Sequence, residues 1–225
     1  MKKMEGVLAI VLTALLLTGC GSKVETKKLM GSWYCDIDVT ERMNMAAAES
    51  MGISTEDSNG VMMLRMCFSV GDDGMCTIGY DMDAIYAALE GYTDALRVTV
   101  TEEIYAAAEE EGFTKEEYDE TMKNAGISIE DMVSAVFTSI SAEEVVSILA
   151  GRTDESTGYC KAEEGKLYLA ETAAGLTADA GYVNYTLSGD TMTWTDEEGE
   201  LSSQLTEQEQ ELMQFPMVWT KQAAE

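Results

Sequence analysis

Five cysteines and no histidine set the chemistry open to this chain of 225 residues. A thiolate can act as a nucleophile or as a soft metal ligand. Without histidine there is no Ser-His or Cys-His nucleophile pair, the commonest general base is missing, and so is the usual zinc or copper ligand. Cys20 stands apart from the other four cysteines. It follows Lys2, Lys3, an apolar run from Val7 to Leu17, and then Thr18-Gly19. A positive start, a short apolar core and small residues before a cut site are the layout of a secretion signal. The run is too short for a stable membrane span, which needs about 20 apolar residues. The Cys20 thiol is the only good nucleophile at that point, and its small neighbours leave room for a peptidase. Residues 1–19 are therefore expected to be a signal peptide, cut before Cys20.

The other four are Cys35, Cys67, Cys76 and Cys160. An even number in an exported chain predicts disulfides, with three connectivities open; the alternative is buried thiols that act as small hydrophobes. If Val70 faces Met75 across a hairpin, Cys67 and Cys76 share one sheet face at a diagonal. The run Met62-Met63-Leu64-Arg65-Met66-Cys67 has ligands suited to copper(I). Strand alternation, however, puts Met63 and Cys67 on one face and Met62 and Met66 on the other. With 16 methionines in the chain, core filling is the expected role. Asp72, Asp73, Asp81 and Asp83 are oxygen ligands without the spacing of an EF-hand loop. Among 42 acidic residues no pair stands out for glycoside cleavage. No catalytic residue, metal ligand set or cofactor is expected, and the chain reads as a non-enzyme.

The 42 acidic residues face only 14 basic ones, a formal charge of −28. Such a chain repels phosphate, so nucleic acid is excluded as a partner. It also repels anionic headgroups, so the charge of the chain offers no electrostatic patch to hold it at a membrane surface. A hydrophobic content of 46% and a single proline, Pro216, predict a folded body rather than a disordered one.

The elements that must position these residues follow from periodicity. A polar tether at 20–28 leads into a first β segment at 29–80. There, a strand over Leu29–Val39 alternates Trp33, Cys35 and Ile37 against Tyr34, Asp36 and Asp38. A helix runs from Thr40 to Met51. A hairpin over 61–80 has Met62, Leu64, Met66, Phe68 and Val70 on one apolar face and a turn at Gly71-Asp72-Asp73-Gly74. The segment 81–151 changes to a helical texture, with helices expected at 82–96, 101–111, 115–125, 129–138 and 142–150. Thr114-Lys-Glu-Glu117 and Ser141-Ala-Glu-Glu144 are capping boxes and Ser128-Ile-Glu-Asp131 is a similar start. Val98-Thr-Val100 reads as a kink or a short extended piece. Strand texture resumes over 152–225, with hairpins at 158–171 and 182–195, a capped helix at 206–213 and a last strand at 215–220. Pro216 places that strand at an edge or at a strand start.

Two resemblances follow from these motifs. Leu17-Thr18-Gly19-Cys20 resembles the lipobox of bacterial lipoproteins, which implies diacylglycerol on the Cys20 sulfur, cleavage before it and acylation of the new amino terminus. Leu29-x-Gly31-x-Trp33 is similar to the Gly-x-Trp start of lipocalin-like barrels. Gly165-Lys-Leu-Tyr168, Tyr185-x-Leu-x-Gly-Asp-Thr-Met192 and Met217-x-Trp219-x-Lys221 look like the closing strands of small lipocalin-like domains in bacterial lipoproteins. The resemblance implies an α+β fold: an antiparallel lipocalin-like barrel or meander with a helical insertion. It also implies an interior that holds a small apolar ligand, with Trp33, Leu64, Met66, Phe68, Trp194 and Trp219 as candidate cavity residues. The family's arginine that packs on the first-strand tryptophan has no arginine counterpart; near the last strand the fitting cation is Lys221.

The expected role is a non-enzymatic lipoprotein anchored through Cys20 at the extracytoplasmic face of the cell membrane. It would bind a small apolar ligand in the barrel, or a basic or apolar protein partner through the insertion. The alternative is a structural or interaction protein of the envelope with a filled barrel and no ligand.

Overall fold

In a computed structural model the described residues are 25–51, 55, 58–137, 141–150, 155–177 and 179–223. The segment 1–19, expected as a signal peptide, and Cys20 lie outside them. Among the described residues no helix is long and apolar enough to cross a membrane.

Eight antiparallel strands close into a barrel in simple sequence order. They are β1 (Gly31–Asp38), β2 (Met63–Val70), β3 (Met75–Tyr80), β4 (Ser156–Glu163), β5 (Lys166–Ala170), β6 (Tyr182–Ser188), β7 (Thr191–Thr195) and β8 (Met217–Lys221). Closure comes from β1 on β8, with Trp33 opposite Lys221 and Tyr34 opposite Thr220. Helix α1 (Thr40–Met51) follows β1. Between β3 and β4 come α2 (Met82–Glu110), α3 (Lys115–Asn124), α4 (Ile129–Val136) and α5 (Ala142–Ala150), and α6 (Glu207–Leu212) precedes β8. The fold is α+β, a lipocalin-like closed barrel with a helical insertion.

The chain divides into two compact units. One contains Met66–Tyr80, Thr153–Glu225 and the start of the chain to Cys35; the other contains Asp36–Arg65 and Asp81–Arg152. The division falls within β1 and within β2.

Alternation builds the barrel. The predicted apolar face of β2 is buried throughout: Met62, Leu64, Met66, Phe68 and Val70 are each at most 4% exposed. Pro216 directly precedes β8, the strand-start placement, since a closed barrel has no edge. Gly158 lies inside β4, where sequence places the strand's beginning. Pairing of Ser156 with Ile78 extends the strand two residues earlier. A side chain at 158 would meet the Ala170 carbonyl oxygen at 2.6 Å, so glycine there serves a close approach rather than an end.

The hairpin register corrects one expectation. Val70 pairs with Cys76, not Met75. The Gly71 N–H donates to the Met75 carbonyl, and the Asp73 carboxylate accepts from the Met75 N–H, so the loop carries one more residue. A one-residue change of register exchanges the faces. Cys67, opposite Gly79, therefore lies on the other side of the sheet from Cys76.

The second correction is α2. It runs unbroken for 29 residues through Val98-Thr-Val100, where a kink or extended piece was expected. Its buried residues Ile85, Leu89, Tyr92, Leu96 and Thr99 recur every three or four positions; Thr99 and its neighbour Val100 continue that stripe while Val98 faces solvent. Thr99 and Thr101 also return their hydroxyls to the carbonyls of Ala95 and Arg97, four residues back. The expected helix starts hold. Thr114 with Glu117, and Ser141 with Glu144, exchange reciprocal bonds, and the Ser128 hydroxyl accepts from the Asp131 N–H.

Candidate functional site

The six residues proposed for a ligand cavity are all buried, at most 4% exposed. Three of them meet within the barrel unit. The Phe68 ring stands edge-on to Trp194 at 5.1 Å and to Trp219 at 5.9 Å, and the two indoles lie 4.6 Å apart between centroids. An eight-stranded barrel is just wide enough for side chains to fill it or for one small ligand. This aromatic cluster occupies interior that a ligand would otherwise use.

Trp33 is held differently. Its indole N–H donates to the Leu29 carbonyl at 2.7 Å, and Lys221 Nζ sits 5.2 Å from its ring centroid, across the strand pair that closes the barrel. Lys221 thus takes the cation position expected on the first-strand tryptophan. The indole N–H groups of Trp194 and Trp219, by contrast, are buried with no acceptor among the described residues. Buried indole N–H groups ordinarily find a partner.

Residues 25–28 form a helical turn, and the Thr26 hydroxyl accepts from the Ala162 N–H of β4 at 2.9 Å. Leu29 is fully buried.

The cysteines separate by position. Cys35, Cys76 and Cys160 are buried and Cys67 is half-buried. Cys76 and Cys160 share a hydrogen bond between side chains. That bond from Cys160 draws the Cys76 thiol below its ordinary range, and the same bond, with burial, pushes Cys160 up.

Two of the four acidic residues weighed as metal ligands serve the backbone. Asp73 closes the β2–β3 turn, and Asp81 caps α2 by accepting from the Ala84 N–H. Among the described residues no group of three or more potential metal-binding side chains is assembled.

The helical unit holds two cavities, of about 560 and 550 Å³, with Tyr105 and Ile129 lining both. The Tyr105 hydroxyl donates to the Asp119 carboxylate at 2.7 Å, and that bond raises the phenol above its ordinary range. Lys115 Nζ lies 5.1 Å from the Tyr105 ring centroid, and Tyr118 stands edge-on to the same ring at 6.5 Å. The block 81–151 contains three cations, Arg97, Lys115 and Lys123, and all three line these cavities. Sequence reasoning named none of these as site residues; Lys115 and Ile129 entered only within helix-start motifs. The available signal was that the only positive charges of an acidic helical block recur at 97, 115 and 123.

No protein-family model, no curated protein and no solved structure matches this chain.

Proposed function

We propose that this protein is a non-enzymatic lipoprotein, anchored by diacylglycerol on Cys20 at the extracytoplasmic face of the membrane. In this reading the barrel is a packed scaffold and the helical unit carries the surface that meets a protein partner. The observation that carries it is the gathering of the block's three cations, with Tyr105, around the two cavities of the helical unit. The packing of Phe68, Trp194 and Trp219 supports the scaffold role. In an otherwise acidic block, those cations and the neighbouring carboxylates Glu102, Asp119 and Glu130 suit a polar partner segment with charges of both signs.

The anchor is tested by fatty-acid labelling. Cys20→Ser should lose label and leave the membrane fraction; retained label contradicts it. The binding surface is tested with a photo-crosslinking residue at Ser134, in the cleft, and at Val218, which is 52% exposed on β8. A discrete adduct from position 134 and none from 218 supports the reading. Adducts only from 218, or none from either, contradict it.

A second reading has one specific support, the two unpartnered indole N–H groups of Trp194 and Trp219. The carbonyl or carboxyl of a small apolar ligand would meet both. Native mass spectrometry of the protein purified from its own host tests this: a stoichiometric added mass supports it, and a bare chain contradicts it.

A further inference from the structure

We infer that Cys76 and Cys160 are joined by a disulfide in the exported protein, stapling β3 to β4 at the two ends of the helical insertion. The inference rests on the export reading above, because disulfides persist in oxidising compartments.

Three features of the barrel unit single out this pair. First, Cys76 pairs with Gly158, and the Cys160 N–H donates to the Gly74 carbonyl at 2.8 Å. Cys160 thus stands two residues beyond the partner of Cys76, on the same face and at the diagonal. Second, each cysteine faces a glycine directly across the ladder, Gly158 for Cys76 and Gly74 for Cys160. Neither glycine places a side chain between the thiols, and sheet twist brings one diagonal closer. Third, the two side chains, free thiols in this structure, are already in hydrogen-bond contact with Cys160 as donor. The remaining cysteines are placed elsewhere. Cys67 is on the opposite face of the β2–β3 hairpin, and Cys35 is in β1, whose neighbours are β2 and β8.

The chemistry needs a disulfide-bearing oxidant, either an envelope thiol oxidase or oxidised glutathione. The Cys76 thiolate attacks one sulfur of that disulfide, expels the other as a thiolate and leaves a mixed disulfide. The Cys160 sulfur then attacks the Cys76 sulfur, loses its proton and displaces the second thiolate. Two electrons pass from the cysteine pair to the oxidant, whose two sulfurs leave as thiols carrying two protons. Both cysteines are at most 8% exposed in the folded chain, so the bond forms while the strands are still closing.

The physical consequence concerns the insertion. β3 and β4 are neighbours in the sheet, yet the whole block 81–151 lies between them in sequence. Cross-linking the strands limits the unfolded chain most when the enclosed loop is long.

The test uses the full chain, exported in a bacterium, alkylated, denatured and cut before aspartate. Cuts at Asp36, Asp57, Asp72, Asp73, Asp81, Asp154 and Asp179 put Cys35, Cys67, Cys76 and Cys160 on separate peptides. In lipid-bearing chains we expect peptides 73–80 and 154–178 to be linked in the majority and to separate on reduction. Alkylated Cys76 and Cys160 in those chains, or a bond from either to Cys35 or Cys67, overturns the inference. If no chain carries lipid, the export reading has failed separately. The purified full chain refolded in oxidised and reduced glutathione then decides the pairing by the same map. A Cys76→Ala/Cys160→Ala double variant gives a second readout. Reductant should lower the melting temperature of the oxidised wild type and leave the double variant unchanged; equal responses overturn the inference.

Discussion

The barrel unit and the helical unit of this chain reach order by different physics. In the barrel unit, side chains on alternate positions converge: Trp33, Phe68, Met192, Trp194 and Trp219 are each at most 1% exposed. In the helical unit, order is local and repeated. α3 buries no residue at all and is held by its capping box, while α2 carries the unit's apolar stripe. A strand face is stable only through contacts distant in sequence, whereas a capped helical turn closes within four residues. The unit in which α3 buries nothing is also the one whose described residues gather the block's three cations around open clefts, which suits a surface that adapts to a partner.

The largest effect should come from the aromatic cluster. Trp194→Ala removes a fully buried side chain touching Phe68 and Trp219, and such truncations cost roughly 3–5 kcal/mol. Urea melts followed by circular dichroism should show loss of most of the fold. A change below about 1 kcal/mol would remove the idea of a packed scaffold.

The next effect belongs to the helical unit and to alkaline pH. Burial pushes the Tyr92 phenol up to about 12, and its hydroxyl donates to Asn44 at 2.8 Å. A folded pKa above the ordinary value of about 10 means that the contribution is complete below pH 10. It is lost as pH rises from about 10 to 12, with a ceiling of roughly 2–3 kcal/mol. Wild type should lose helical signal in that window, and Tyr92→Phe should lose distinctly less. Equal losses would show that other groups set the alkaline limit.

The smallest effect is local. Thr114→Ala removes the hydroxyl that accepts from the Glu117 N–H at the start of α3, leaving only the backbone half of the capping box, at a cost of about 1 kcal/mol. Amide exchange should quicken over 115–124 and stay unchanged in β7 and β8. If exchange quickened equally in the strands, the two units would share one cooperative transition.

What was legible in the sequence follows the same division. The β2 face from Met62 to Val70 could be read because alternation encodes burial on one side. The starts at Thr114, Ser128 and Ser141 could be read because a cap is a contact of three residues. Lys221 stands out in the sequence only as the fitting cation near the last strand; its place over Trp33 depends on the pairing of the first and last strands. The register Val70 to Cys76 could not, because it depends on how Asp73 closes a turn, and the assignment of Cys67 failed with it. The continuity of α2 through Val98-Thr-Val100 was hidden because β-branched residues favour strands, and only the buried stripe overrides them. Gly158 looked like a boundary because its role, the approach of Ala170, is a tertiary contact. Of the candidate site, the tryptophans were legible as apolar strand positions. The Tyr105 cleft was not, since it forms where three separately predicted helices meet.

The central claim is that the barrel is a scaffold and the helical unit the surface that binds. Replacing residues 82–150 with a short Gly-Ser linker tests it most directly. The account predicts a cooperative melt with β-type circular dichroism and retained lipid on Cys20. A chain that no longer melts cooperatively would contradict it, because the helices would then be part of the core.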